Sequence, residues 1–323
     1  MTILVTGGTG LIGRAVIQTL LDQGVQPRVV TRRPHRALEY FDSRVTAFEW
    51  HPRTEPLPAP ALEGVERIVH LMGEPLYGRL SRDRRTRIAA SRREGTRALI
   101  EALGRTRVHL IAASSIAVYG NGEAPPLTET SSIKPPKNKL ALSLLACEEA
   151  ADQLRENGST VTLVRFGHVI AQDAGFLEPL RSMHRKGVTW RDTHPDAGLS
   201  AIDHEDAASM LAWLALSRPL PGPIHAVAPE ALRVADLKKM LAEAAPRRPL
   251  AALPALMLRP ALGLVADALI NRRQIVPRRA LDAGFVFGRP DPVESLRAVL
   301  AEIAAPPAKG KRPSLLGSVL QRT

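Results

Sequence analysis

Three glycines at a spacing of three stand at the head of the chain's chemistry. Thr6-Gly7-Gly8-Thr9-Gly10-Leu11-Ile12-Gly13 follows the apolar run Ile3-Leu4-Val5 and leads into a helical period. Glycine at 7 permits a tight turn, glycine at 10 lets the backbone approach a pyrophosphate, and glycine at 13 lets a helix pack close to the strand. The free N–H groups of the helix start then face the phosphates, and Thr9, Leu11 and Ile12 share that turn. A glycine turn placed after a first strand and before an amphipathic helix points to a dinucleotide. The second group is Thr31-Arg32-Arg33, at the end of the next apolar run. An acid there would bind ribose hydroxyls, whereas guanidinium groups suit a 2′-phosphate. The expected cofactor is therefore NADP(H).

A third set of residues could handle a substrate. Ser115 could polarise a substrate oxygen, or cap the end of its strand. Tyr119 is the only nearby phenol; it is either an alternative acid or a packed, hydrogen-bonded side chain. Glu74 directly follows an apolar strand run, which puts its carboxylate at the C-terminal sheet edge, where ligands bind in open α/β sheets. Cys147 reads as a small core residue. Asp203 and His204 read as structural, and no second histidine has ligand spacing. No metal is expected.

The elements that must hold these groups are legible from periodicity. Residues 2–6, 27–31, 67–71, 108–114 and 160–166 read as strands; 11–23, 82–103 and 139–156 read as helices. Strands alternating with helices indicate parallel βαβ units and a doubly wound sheet. The expected fold class is α/β, a Rossmann sheet with a smaller C-terminal substrate domain. The boundaries expected are 1–165 for the cofactor domain and 166–305 for the substrate-binding part, with a strand near 224 able to rejoin the main sheet. Helices are expected at 203–217, 231–244 and 291–303. A basic tail, 306–323, is expected to be disordered.

Composition narrows the function classes. A chain of 323 residues with 45% hydrophobic and 24% charged residues can build a substantial core. One cysteine excludes an internal disulfide and a multi-cysteine metal site, and suits a cytoplasmic location. The net charge of +12 could attract nucleic acid, but the arginines are spread along the whole chain, which argues against a dedicated nucleic-acid surface. The longest apolar stretch, 251–270, is broken by Pro254, Arg259, Pro260 and Asp267, so no membrane span is expected.

Ile111-Ala112-Ala113-Ser114-Ser115-Ile116-Ala117-Val118-Tyr119-Gly120 resembles the motif of extended short-chain dehydrogenases and sugar-nucleotide epimerases. The resemblance implies a catalytic Ser or Thr at Ser115, with Ser114, Leu71 and Gly73 lining the cofactor. Those enzymes also carry a Tyr-x-x-x-Lys pair on the next long helix. Here Leu140 and Leu144 take its two positions, and neither can move a proton. The chain is more narrowly similar to an atypical epimerase-like family with a characteristic C-terminal module. The matches are His70-Leu71-Met72-Gly73-Glu74-Pro75-Leu76, Ser91-Arg92-Arg93-Glu94-Gly95-Thr96, Arg165-Phe166-Gly167-His168-Val169, the segment 200–206 and the segment 276–287. Arg92 takes the place of an asparagine common in extended members. Ala201 and Gly263-Leu264 depart from the family's pattern on the substrate side. The implied function is an NAD(P)-binding, epimerase-like oxidoreductase acting on a small molecule. The alternative is a non-catalytic NADP(H)-binding regulator with a protein partner.

Overall fold

The computed structural model describes residues 1–304 apart from 78–80, 121–125, 134–138, 173, 192–193, 246–248 and 271–272; the basic segment 306–323 lies outside the described residues. In chain order the first part runs β1 (Thr2–Thr6), α1 (Leu11–Asp22), β2 (Arg28–Thr31), α2 (Pro34–Tyr40), β3 (Thr46–Glu49), α3 (Ala59–Leu62), β4 (Val65–His70), α4 (Arg82–Leu103), β5 (His109–Ser115), α5 (Lys139–Asp152) and β6 (Thr160–Phe166). Side chains alternate across a strand, and here both faces are apolar. Ile3, Val5, Val29, Val69, Ile111 and Val164 face α1, whereas Leu4, Val30, Ile68, Leu110 and Leu163 face the layer that contains Leu99 and Leu103 of α4. Each such side chain, fully buried, stabilises the fold by about 1.5–3 kcal/mol. A sheet covered on both faces suits all-parallel pairing.

The remainder runs β7 (His168–Ile170), α6 (Leu177–Arg185), β8 (Val188–Arg191), β9 (Gly198–Leu199), β10 (Ala201–Asp203), α7 (His204–Leu216), β11 (Gly222–Ala226), β12 (Leu232–Arg233), α8 (Val234–Glu243), β13 (Ala251–Pro254), α9 (Arg259–Leu262), α10 (Leu264–Ile270), α11 (Arg278–Asp282) and α12 (Pro292–Ala304). The main sheet has seven strands in the order β11-β6-β5-β4-β1-β2-β3. This is a Rossmann-like doubly wound α/β fold. β11 joins it by pairing in parallel with β6, Ile224 opposite Val164. α7 is buried between α1 and the sheet, and Phe285 and Phe287 close over the same core. Beyond β6 the chain thus feeds two cores. Residues 202–226 and 280–287 complete the sheet's own core, and a second core forms from α6, β8, α8, α9, α10 and α12.

Several elements were not expected from the sequence. β3 and α2 are short and carry little periodicity. The Pro-rich stretch contains β13, which exists only because β8 pairs with it in parallel. The helix expected from 139 to 156 ends at Asp152 and continues as a 3₁₀ turn to Asn157, where Gly158 at φ +86° stops it. Asp203 caps α7, its side chain accepting from Glu205 N at 2.7 Å, and it pairs with Arg289 at 2.7 Å. No helix among the described residues is long and apolar enough to cross a membrane.

Three histidines built into this fold, His70, His109 and His168, are pushed down to about 4 by burial, with Arg67 adding to the effect at His109. A lowered histidine contributes stability that is complete above its unfolded value and is lost as pH falls from about 6.5 toward about 4. For His70, which is almost wholly buried, this corresponds to about 3–3.5 kcal/mol. Urea unfolding at pH 7 and pH 4.5 should therefore show a marked loss at the lower pH, and His70→Asn should reduce that loss. An unchanged pH dependence in the variant would contradict a neutral His70.

Candidate functional site

The glycine turn sits where the sheet order reverses, between β1 and β4. Gly7 has φ +71°, and a Cβ there would lie 2.8 Å from the carbonyl carbon of Leu71. A Cβ at Gly13 would lie 2.3 Å from the Gly7 carbonyl oxygen. Any side chain at either position would force α1, β1 and the end of β4 apart. Gly10 N donates to Gly7 O at 3.0 Å and closes the turn. Gly10 is also the N-cap of α1 and offers no side-chain cap, so the first N–H groups of that helix remain for an anion. Thr9, Leu11 and Ile12 are half-buried around them. Behind the turn, Thr6 Oγ1 bonds His70 Nδ1 at 2.8 Å, and His70 Nε2 bonds Thr96 at 3.2 Å. That buried chain sets the ends of β1 and β4, and Leu71 N donates to Thr6.

Arg32 and Arg33 follow Thr31 at the end of β2 and are exposed. Their guanidinium groups have no partner among the described residues; only the Arg33 backbone is engaged, donating to Thr31 Oγ1 at 3.3 Å. Nearby, Arg14 stacks over Tyr40 at 5.0 Å. A backbone cradle that any Cβ would fill, beside two uncommitted cations, fits a dinucleotide with an extra phosphate.

At the end of β5 the two serines divide their work. Ser115 Oγ accepts from Ala117 N at 3.2 Å and donates to Phe166 O at 3.4 Å. Ser114 Oγ donates to Glu148 Oε1 at 2.5 Å. Glu148 is clamped by Arg165 through two bonds of 2.9 and 2.6 Å, and Arg165 also donates to the Tyr119 hydroxyl at 2.8 Å. That hydroxyl further meets His225 Nε2 at 2.8 Å, and His225 N donates to Glu129 at 3.0 Å. Arg273 donates to the Tyr119 carbonyl. Tyr119 is almost wholly buried, and burial raises its phenol above the ordinary value, Glu129 and Glu148 adding and Arg165 opposing. Its hydroxyl is thus turned into a buried network and away from the cofactor turn, while Ser115 and the half-buried Glu74 remain at the sheet edge. Glu74 is held by its backbone, its N–H donating to Ser91 Oγ at 3.0 Å.

Leu144 is almost sealed, and Leu140 packs beside it, against Val118, Tyr119, Val227 and Ile275. Positions 140 and 144 are therefore filled by an apolar cluster. Cys147 lies half-buried one turn further on; burial raises its thiol, while Arg92, a hydrogen bond with Thr96 and Arg93 oppose this. The Lys139 side chain lies outside the described residues. His204 Nδ1 stands 3.7 Å from Asp203 Oδ1, and no trio of His, Cys, Asp or Glu is gathered for a metal among the described residues.

Two groups escaped the sequence reading. One is the set Glu148, Arg165, His225 and Glu129. Its signal was present: an arginine inside the apolar strand Thr160–Phe166 and a glutamate inside a leucine-rich helix both demand a buried partner. The other is Tyr77, whose hydroxyl meets His168 Nδ1 at 3.1 Å beside the Phe176 ring. Tyr77 comes from the loop after β4 and His168 from the segment after β6, so no local pattern could pair them.

This fold and its glycine turn define a dinucleotide-binding protein of the doubly wound α/β class. The pattern of the NAD dependent epimerase/dehydratase family matches residues 3–185, more than half of the chain, and the chain belongs to that family. Among curated relatives, the chain is 26% identical over 314 residues to the chloroplastic SDR39U1 homolog of Arabidopsis thaliana, an epimerase family protein, covering 93% of this chain and 87% of that one. It is 24% identical to the epimerase family protein YfhF of Bacillus subtilis, covering 94% and 99%. Human SDR39U1, solved with NADPH, superposes with a TM-score of 0.76 at 22% identity, covering 93% of this chain and 99% of that one. The Thermus thermophilus UDP-glucose 4-epimerase, solved with NAD, gives 0.73 at 21% identity, covering 94% and 99%. These two structures establish the fold.

The apolar plug carries a prediction. Leu140→Tyr with Leu144→Lys restores the residue types of the missing pair at the right helical spacing. A lysine at 144 would be desolvated, which lowers its pKa and removes the charge that would activate the tyrosine. The double variant should bind NADPH, unfold at lower urea than the parent by about 2–4 kcal/mol, and show no epimerase activity on UDP-glucose. Ready turnover of that sugar would show that the pocket is still an ordinary epimerase site.

Proposed function

We propose that this chain binds NADP(H) and works as an epimerase-like oxidoreductase on a small molecule, without the usual tyrosine–lysine pair. The observation that carries the reading is the pair of exposed, uncommitted arginines at the end of β2, beside a glycine cradle and an uncapped helix. In this reading Gly7, Gly10, Gly13 and the first N–H groups of α1 hold the pyrophosphate, and Arg32 and Arg33 hold the 2′-phosphate. Thr31 shapes the turn, while Leu71, Gly73 and Ser114 line the nicotinamide half. The cofactor, when bound, supplies a hydride donor or acceptor. Ser115 orients the substrate oxygen, and Glu74 or water moves the proton, because the Tyr119 hydroxyl is held by Arg165 and His225. One cysteine and no disulfide agree with a cytoplasmic setting.

The sealed cluster around Leu140 and Leu144 favours a second reading, in which cofactor occupancy controls a protein partner and no turnover occurs. A metabolite screen for NADPH oxidation or NADP reduction separates the two. Turnover lost in Ser115→Ala supports the enzyme; no turnover, with a partner released or captured on NADPH addition, supports the regulator.

Cofactor choice is tested by titrating NADPH and NADH by calorimetry. NADPH should bind more tightly, and Arg32→Ala with Arg33→Ala should weaken it roughly ten- to hundredfold, as expected for charge-assisted bonds, while leaving NADH nearly unchanged. Equal affinities, or tighter NADH, would contradict the NADP assignment.

A further inference from the structure

Arg92 lies in α4, and its side chain is laid across the backbone of Gly73. A Cβ on Gly73 would come within 3.0 Å of Arg92 Cγ and Cζ and 3.2 Å of Nε. A side chain at 73 would press the guanidinium aside by a few tenths of an ångström. Gly73 leaves β4 on the same short crossing whose other end, Leu71, rests against Gly7 of the cofactor turn. Gly73, beneath the guanidinium, is thus two residues along the chain from Leu71, which touches the glycine cradle, at the C-terminal edge of the sheet where ligands bind in open α/β folds.

Its bonding is incomplete. A guanidinium has five N–H donors. Among the described residues, the one hydrogen bond from Arg92 runs from Nη1 to Ile88 O in its own helix, at 3.3 Å. No carboxylate lies within ion-pair distance among the described residues. The other interior arginines differ. Arg165 is fully committed to Glu148 and Tyr119, and Arg279 to the carbonyls of Pro221 and Pro223. Burial dominates at Arg92 and lowers its pKa, with Cys147 and Glu74 only partly opposing this. A half-buried cation without a contact ion pair is costly unless an anion completes it. None of the atoms of Arg92 is both sealed from solvent and without a partner, so the uncommitted donors face an opening.

Electrostatics of the neighbourhood point the same way. The positions that would carry the lysine and tyrosine of an ordinary site are leucines, so α5 supplies no cation there. α4, packed against α5, supplies one instead. The Glu74 carboxylate is near, yet its backbone N–H is anchored on Ser91, and it forms no ion pair with Arg92.

From this juxtaposition we infer that Arg92, seated on Gly73, recognises an oxyanion of the small molecule bound beside the cofactor, so that the substrate is an acid or a phosphorylated compound and not a neutral sugar or alcohol. Arg92 is a binding residue in this scheme, and its planar fork matches a carboxylate or phosphate through two parallel bonds. The inference rests on the cofactor reading above. It differs from it in concerning a separate anion site, which is measurable on the protein with and without NADPH.

The test uses the full chain and three probes at fixed ionic strength: sodium malonate, inorganic phosphate, and malonamide as the neutral counterpart of malonate. Binding is followed by thermal shift and calorimetry, with NADPH affinity measured on the same samples. Malonate or phosphate should bind saturably and malonamide should not, the tighter anion naming the group. Arg92→Gln should weaken the anion at least about tenfold, as for loss of a charge-assisted pair, with NADPH affinity within about threefold of the parent. Gly73→Ala keeps the charge but intrudes on its seat, so it should weaken the anion as well, and it serves as the second variant if Arg92→Gln fails to fold. Arg92→Lys should retain part of the binding. Absence of saturable anion binding, equal anion binding in Arg92→Gln and Gly73→Ala, or a loss in Arg92→Gln confined to NADPH would each overturn the inference. Failure of the parent to bind NADPH would overturn the cofactor reading instead, and the anion titrations on the protein alone would still stand.

Discussion

A carboxylate and a guanidinium buried side by side, Glu148 and Arg165, hold α5 to the sheet, and most of the site depends on that attachment. Both side chains are more than nine-tenths buried. A buried pair is tolerated only when its remaining lone pairs and protons are satisfied, and breaking such a pair costs about 3–5 kcal/mol. Here Ser114 takes one oxygen of Glu148, and the Tyr119 hydroxyl takes the free end of Arg165. Tyr119 in turn engages His225 on β11, and Glu129 accepts from the backbone of His225 and of Arg279. One charge pair thus joins β5, α5, β6, β11 and the start of α11.

That network sets the surroundings of the leucines on α5. With α5 tied down by Glu148, its preceding turn presents Leu144 and Leu140 to the Tyr119 ring and Ile275. The Tyr119 hydroxyl is committed to Arg165 and His225 and so helps hold the C-terminal segment. What stays open lies on the β1–β4 side: the glycine cradle, the uncapped start of α1, and arginines that the protein itself does not neutralise. The polarity of the site is therefore positive and directed at anions, in keeping with a cofactor that carries phosphates.

The parallel sheet and the cofactor turn were readable in the sequence because they are local. Short continuous apolar runs, a helical period after most of them, and glycines at 7, 10 and 13 depend on neighbours within a few residues. The arginines after β2 and the leucines at 140 and 144 belong to the same category: their identity is read directly from the sequence. Even the glutamate and arginine that became the buried pair left a trace, as charges inside apolar elements.

Which charges would meet was decided only in three dimensions. Glu148 reaches Arg165 across 17 residues, Tyr119 reaches His225 across 106, and Tyr77 reaches His168 across 91. No periodicity spans such separations; the strand order does, by bringing the ends of β4, β5, β6 and β11 to one edge. The short pairs β8–β13 and β9–β12 are likewise products of packing, since each strand is stable only against its partner. The sequence by itself determined the fold class, the glycine turn and the leucines at 140 and 144, because side-chain type and near spacing suffice for those. The tertiary structure alone decided that Tyr119 bonds Arg165, that Leu140 and Leu144 join one apolar cluster, and that Arg92 rests on Gly73 with no ion pair among the described residues, because burial and partnership belong to residues far apart in the chain.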